Sequence, residues 1–188
     1  MSLKHAILGF LSYLPLSGYD LKKAFDHSVQ HFWPANQSQI YRTLAELEQN
    51  GLVTMEVIER EERLDMKIYH VTEAGRAELH TWLTTPQPER DEREPFLIQV
   101  DFGGQVSDAE LLKVMKHKLK ETEDRLAVYE AVHQMIQNTP QKINDPRAIF
   151  LSVLTLEAGY VNNQSIAAWL RSAIERIEKK KYKIKIGK

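Results

Sequence analysis

The stretch from Pro34 to Thr72 constrains the fold more than any other part of the chain. It opens on a helix signal. Asn36 offers a side-chain oxygen to the first unpaired amides, and Gln39, three residues on, can reach back to the Asn36 amide, which makes a capping box. Ile40, Leu44 and Leu47 then recur on one side of the helix, while Ser38, Arg42, Ala45 and Gln49 fall almost opposite at about 100° per residue. Asn50-Gly51 closes the helix, because a glycine just past the last turn accepts the left-handed conformation that ends it. Beyond it, Met55 and Val57 alternate with Thr54, Glu56 and Ile58, and Tyr69 and Val71 alternate with Ile68 and His70. Period-two alternation on both sides of a charged segment, Glu59 to Asp65, predicts a two-stranded ribbon.

Two shorter helices are predicted before this stretch. Ala6, Ile7, Phe10, Leu11 and Leu14 keep helical spacing over Ser2 to Leu14, and Pro15 stops them. Ser17 caps the second helix, with Asp20 three residues on and Leu21, Ala24, Phe25 and Val29 as its inward stripe. After the ribbon Thr72 caps a fourth helix, which carries Leu79 and Trp82 inward and ends at Pro86 and Pro88. Helix, helix, helix, ribbon, helix is the order of a winged helix-turn-helix domain. The outer face of the third helix presents one guanidinium, one hydroxyl, one amide and one small residue, a mixture suited to base edges and phosphates.

Composition neither demands nor forbids that function. The formal net charge is −1, and residues 1–85 carry eight basic and eleven acidic side chains, so any nucleic-acid contact there rests on a few placed cations rather than a broad field. Residues 171–188 are the basic end, with eight Lys or Arg against two Glu. The absence of cysteine excludes disulfides, thiol catalysis and zinc fingers, and fits a cytoplasmic protein. No uncharged apolar run is long enough to span a bilayer, and the first residues lack a basic, cleavable leader, so neither membrane insertion nor secretion is expected. No Ser-His-Asp set, phosphate-binding loop or GxGxxG motif is present, and no enzyme activity or cofactor is expected. His27 and His31 stand at i and i+4 without a third ligand nearby, so surface histidines are expected there rather than a metal site. Trp33, Trp82 and Trp169 fall at helical spacing and are expected in cores rather than lining an effector pocket.

The second half has a different character. Residues 86–95, PQPERDEREP, are polar and proline-rich, and Pro95 to Gly104 reads as a short apolar connection, which places a linker over 86–106 between domains at 1–85 and 107–188. Ser107 and Glu110 form a second capping box. Behind it Leu112, Met115, Leu119, Thr122, Leu126, Tyr129, His133 and Ile136 step by alternating threes and fours, a heptad seam. Asp145-Pro146 restarts a helix that can run to about Lys180, roughly 50 Å at 1.5 Å per residue. Two such helices cannot bury everything on each other, which predicts a homodimer. Leu112, Met115, Leu119, Leu126, Tyr129, Ile149, Val153, Leu170 and Ile174 are the expected interface. The expected fold is therefore mainly α with a small β-wing, a winged helix-turn-helix domain followed by a long-helix dimerisation domain.

Three stretches, HAILGFLSYLPLSGYDLKKAF (5–25), QIYRTLAELEQNGLV (39–53) and KIYHVTEAGRAELHTWL (67–83), together resemble the PadR family of transcriptional regulators. PFLIQVDFGGQVSDAELL (95–112) and LTLEAGYVNNQSIAAWL (154–170) resemble its subfamily with a large C-terminal helical domain. The resemblance implies a dimeric repressor-type regulator on a two-fold operator in double-stranded DNA, released in some relatives by phenolic or other small hydrophobic effectors. Carried over by position, Gln37, Ser38, Gln39, Tyr41 and Arg42 are the implied recognition-helix contacts, and Arg63, Lys67 and Tyr69 those of the wing. No effector-binding residue is implied. The tip Glu61-Glu62-Arg63-Leu64-Asp65 departs from the basic tip of many relatives, which shifts the expected weight of binding onto the helix. The alternative is a helical protein-interaction module whose winged helix has lost DNA.

Overall fold

The computed structural model of the chain describes residues 2–29, 32–59, 65–88, 93–138 and 145–182. Its contacts divide into two compact units, Met1–Glu89 and Arg90–Lys188.

Unit 1 runs α1 (Ser2–Tyr13), β1 (Leu16–Ser17), α2 (Gly18–His27), α3 (Gln37–Gln49), β2 (Val53–Ile58), β3 (Met66–Val71) and α4 (Glu73–Thr84). The expected caps form. The Asn36 side chain accepts from the Gln39 amide at 2.9 Å, and the Gln39 side chain accepts from the Asn36 amide at 2.9 Å. Gly51 adopts φ +67°, a conformation that glycine enters without steric penalty. Thr72 Oγ1 accepts from the Gly75 amide at 3.0 Å and donates to the Gly51 carbonyl at 2.8 Å, which ties the start of α4 to the end of α3.

The sheet is antiparallel in the order β1-β3-β2. Val53 pairs with Val71 and Ile58 with Met66, so the two long strands are in full register. Strand β1 has only two residues, Leu16 facing Tyr69 and Ser17 facing Ile68. Two residues carry no alternation, which is why the sequence predicts a capped helix start there and no strand. Ile7, Leu8, Leu11, Leu21, Phe25, Ile40, Leu44, Leu47, Val53 and Tyr69 form one buried cluster. Helices α1 and α2 thus seat α3 by its apolar face and leave Ser38, Arg42, Ala45 and Gln49 exposed.

Unit 2 consists of α5 (Pro95–Asp101), a turn of 3-10 helix (Gly103–Gln105), α6 (Asp108–Asn138) and α7 (Pro146–Glu178). The stretch after Pro95 is a helix rather than the expected connection. Phe96 is buried with Met115, Leu170 and Ile174, and its ring meets Trp169 edge-on at 6.3 Å. Helices α6 and α7 form an antiparallel hairpin, with cross-links Tyr182–Asp108, Lys116–Glu178, Arg171–Glu123 and Tyr160–Glu130 along its length. Continued in that register, the end of α6 comes level with about residue 152, so roughly the first turn and a half of α7 projects past it.

The hairpin corrects part of the dimer expectation. Met115, Tyr129, Leu170 and Ile174 are all buried inside a single chain, at 1%, 7%, 0% and 7% exposure, and have no surface left to give a partner. The heptad seam of α6 is covered largely by α7 of the same chain. Leu112, Leu119, Leu126, Ile149 and Val153 stay partly exposed. The large apolar side chains still open to solvent are others, among them Val128, Met135, Phe150, Leu151 and Leu154.

Candidate nucleic-acid interface

The exposed face of α3 gathers most of the expected contacts. Gln37, Ser38, Gln39, Tyr41 and Arg42 are all exposed in its first two turns. They are not equally available. Gln39 commits its side-chain oxygen to the cap and keeps only its NH2 group for a ligand. Arg42 has no ion pair among the described residues, although Glu46 stands one turn on.

Tyr41 is 42% exposed and packs its ring edge on Gly18. A Cβ at residue 18 would lie 2.5 Å from Tyr41 Cε1, so only glycine lets the start of α2 approach α3 this closely. Tyr19, next in the chain, is 58% exposed and holds the Lys23 ammonium 4.4 Å from its ring centre. The neighbouring cations of unit 1 are occupied differently. Lys4 pairs with Glu78, Lys22 with Asp26, and Arg76 donates to the Ser12 carbonyl.

Strand β3 separates the two wing residues. Lys67 and Tyr69 share a face, but Lys67 is exposed and Tyr69 is only 6% exposed, inside the unit 1 core. Burial pushes the Tyr69 phenol up from its ordinary 10.0, with Glu48 and Tyr41 adding to the shift. Tyr69 is therefore a packing residue and not a DNA contact, which corrects the expectation. Alternation along a strand assigns the face and does not say how far the body of the domain extends beneath it. Lys67 directly adjoins Ile68, the partner of Ser17, in β3 and lies opposite Val57 of β2. Arg63 lies outside the described residues, as does His31; the ring of His27 is likewise not described.

A buried group stands behind this face. His5 is 4% exposed, stacks on Trp82 at 4.5 Å, and shares Glu78 with Lys4 through an Nε2–Oε1 contact of 3.2 Å. Its Nδ1 has no hydrogen-bond partner among the described residues. Burial lowers the imidazole pKa from its ordinary 6.5, and the Glu78 hydrogen bond opposes that shift only in part.

Comparison with known proteins follows the same division of the chain. Residues 7–81 match the PadR-like transcriptional regulator family, and residues 92–178 match the C-terminal domain of the virulence activator alpha family. A probable transcriptional regulator of Mycobacterium tuberculosis is 30% identical over 96% of this chain and 100% of its own length. The chain belongs to the PadR family. The negative transcriptional regulator PadR of Bacillus subtilis is 29% identical over 94% of this chain and 98% of its own. The crystal structure of that PadR in complex with operator DNA superposes with a TM-score of 0.82 at 28% identity, covering 94% of this chain and 99% of that one. The Vibrio cholerae virulence activator AphA matches with a TM-score of 0.75 at 26% identity, covering 94% and 98%. As in those PadR-type regulators, a winged helix-turn-helix is joined to a long-helix C-terminal region. No described helix is long and apolar enough to cross a membrane.

Proposed function

We propose that this protein is a cytoplasmic transcriptional repressor without enzymatic activity. It binds double-stranded operator DNA as a homodimer, with α3 in the major groove and β2–β3 against the backbone. The observation that carries the reading is the exposed guanidinium of Arg42, without an ion pair among the described residues, on a helix whose opposite face is fixed in the core by Ile40, Leu44 and Leu47. A rigidly seated helix holds its donors in place and so loses little freedom on docking. The operator complex of the Bacillus subtilis relative supports the same use of this domain.

The homodimer forms through unit 2. Phe150 and Leu151, 60% and 42% exposed, sit where α7 projects past α6, and a second copy of the hairpin covers them. Together with Leu154, Val128 and Met135 they replace the four seam residues already buried within one chain. A phenolic effector is part of the proposal because the Bacillus subtilis relative was crystallised in complex with p-coumaric acid.

The test is a titration of purified full-length protein against a fluorescent duplex carrying the promoter upstream of its own gene. Saturable binding whose log affinity falls linearly with log salt is expected, with a clear loss in Arg42→Ala. Retention that is absent, or indifferent to salt, leaves the alternative of an interaction module that has lost DNA.

A further inference from the structure

The pairing of α1 with α4 is built on an imidazole that has no part in contacting DNA. His5 of α1 is 4% exposed, lies on Trp82 of α4 with the two rings 12° from parallel, and shares one carboxylate oxygen, Glu78 Oε1, with Lys4. Its Nδ1 is buried and has no hydrogen-bond partner among the described residues. The charges acting on the ring are Glu78 of α4, Lys4 of α1 and, weakest, the amino terminus of the chain. Beside the pair lies a cavity of about 380 Å³, which Lys4 and Glu78 line together with Thr43, Glu46, Leu47 and Asn50 of α3. Glu46 is the charge that α3 brings to this corner. The same two helices meet in the core, where Ile7, Leu8 and Leu11 of α1 share a cluster with Ile40, Leu44 and Leu47 of α3.

A neutral ring fits this place and a charged one does not. Neutral, it donates Nε2–H to Glu78 and leaves no donor without a partner. Charged, it carries a second N–H into a buried position without an acceptor, stands beside the like charge of Lys4, and competes with Lys4 for one oxygen. Burial lowers the imidazole pKa from its ordinary 6.5, the Glu78 hydrogen bond opposes that shift, and Lys4 adds to it. The ring therefore stays neutral at neutral pH and takes its proton only in more acid solution. We propose that His5, Glu78 and Lys4 form an acid-opened latch between α1 and α4, whose opening loosens the seat of α3 and releases operator DNA. The protonated ring leaves Trp82 for water, α1 loses its hold on α4, and the core face of α3 loses a fixed support. The recognition helix then has to be ordered again on DNA, which weakens binding. This effect is opposite in sign to the bulk one, because acid makes the chain more positive and by charge alone tightens its binding to a polyanion.

The release of DNA rests on the operator-binding proposal, and two readouts keep the latch and that proposal apart. Full-length protein labelled with 5-fluorotryptophan is titrated from pH 7.5 to 5.5 by fluorine NMR, with the Trp82 signal assigned through Trp82→Phe. Affinity for the upstream-promoter duplex is measured at the same pH values and constant salt. In wild type the Trp82 signal is expected to move with a midpoint below 6.5. Affinity is expected to fall over the same range, by up to about tenfold per pH unit, the limit for one linked proton. His5→Phe keeps an uncharged ring against Trp82 and His5→Leu an uncharged aliphatic side chain; in both, the Trp82 signal holds and acid causes no loss of affinity. Glu78→Gln and Lys4→Gln move the midpoint down and up respectively, because the first removes the charge that favours the proton and the second a charge that opposes it. A wild-type Trp82 signal that stays fixed, or one that moves equally in both His5 variants, overturns the latch. A moving signal with an affinity that holds or rises in acid overturns its link to DNA. No binding at any pH removes the operator proposal and that link together, while the fluorine titration still decides the latch.

Discussion

Arg42, Tyr69 and His5 make separable predictions for unit 1, the first as a proposed DNA contact, the second in packing and the third in charge. Arg42 is exposed and has no ion pair among the described residues, so Arg42→Ala should leave the melting temperature unchanged and weaken promoter binding by about 1–3 kcal/mol where the guanidinium reads a base. Tyr69 should behave in the opposite way. Tyr69→Phe retains DNA affinity, and Tyr69→Ala unfolds unit 1 more readily, by about 3–5 kcal/mol in denaturant, because a buried ring leaves a cavity. His5 gives unit 1 a pH dependence of known sign. Its folded pKa is depressed, mainly by burial, so the stability it permits is present above its ordinary 6.5 and is lost as pH falls through the lower folded value. In the neutral ring Nε2–H donates to Glu78, and a second proton would place a donor on Nδ1, which has no partner among the described residues. Thermal melts of wild type should fall between pH 7.5 and 5.5, and those of His5→Leu should fall less over the same range.

Helices and strands were legible in the sequence wherever the signal was local. The capping boxes at Asn36 and Ser107, the glycine stop at Gly51 and the Thr72 cap each involve residues at most a few positions apart, and each forms as expected. The contact of Tyr41 with Gly18 joins positions far apart in the chain and left no pattern to read. The seam of α6 was legible as a seam, but three-four spacing does not say whose helix will cover it, and α7 of the same chain does. Gly159 marks that packing: an added Cβ would lie 2.5 Å from the Tyr129 hydroxyl and 2.7 Å from Cζ. Alanine favours the helix by about 1 kcal/mol over glycine, yet Gly159→Ala should lower the stability of unit 2, since forcing buried Tyr129 aside costs about 1–3 kcal/mol. Chemical denaturation checks this, and a stabilised variant would show that α6 and α7 have room to separate.

In the proposed function unit 1 is the reading head and unit 2 the pairing device, and each is of limited use alone. Single-domain contact through a few cations gives modest affinity, whereas two heads held by one dimer bind paired half-sites with a large gain in effective concentration. Substituting both Phe150 and Leu154 with Asp should therefore shift the protein to monomer in light scattering and weaken promoter binding, while each hairpin stays folded because neither side chain is buried within it. The most direct measurement is selection and sequencing of genomic DNA fragments retained by the full-length protein. A two-fold symmetric sequence is expected among them, its half-sites one helical turn, about 34 Å, or a multiple of it apart. Recovery of fragments with no shared sequence, or with a single unrepeated half-site, would contradict a dimeric regulator that reads an operator through α3.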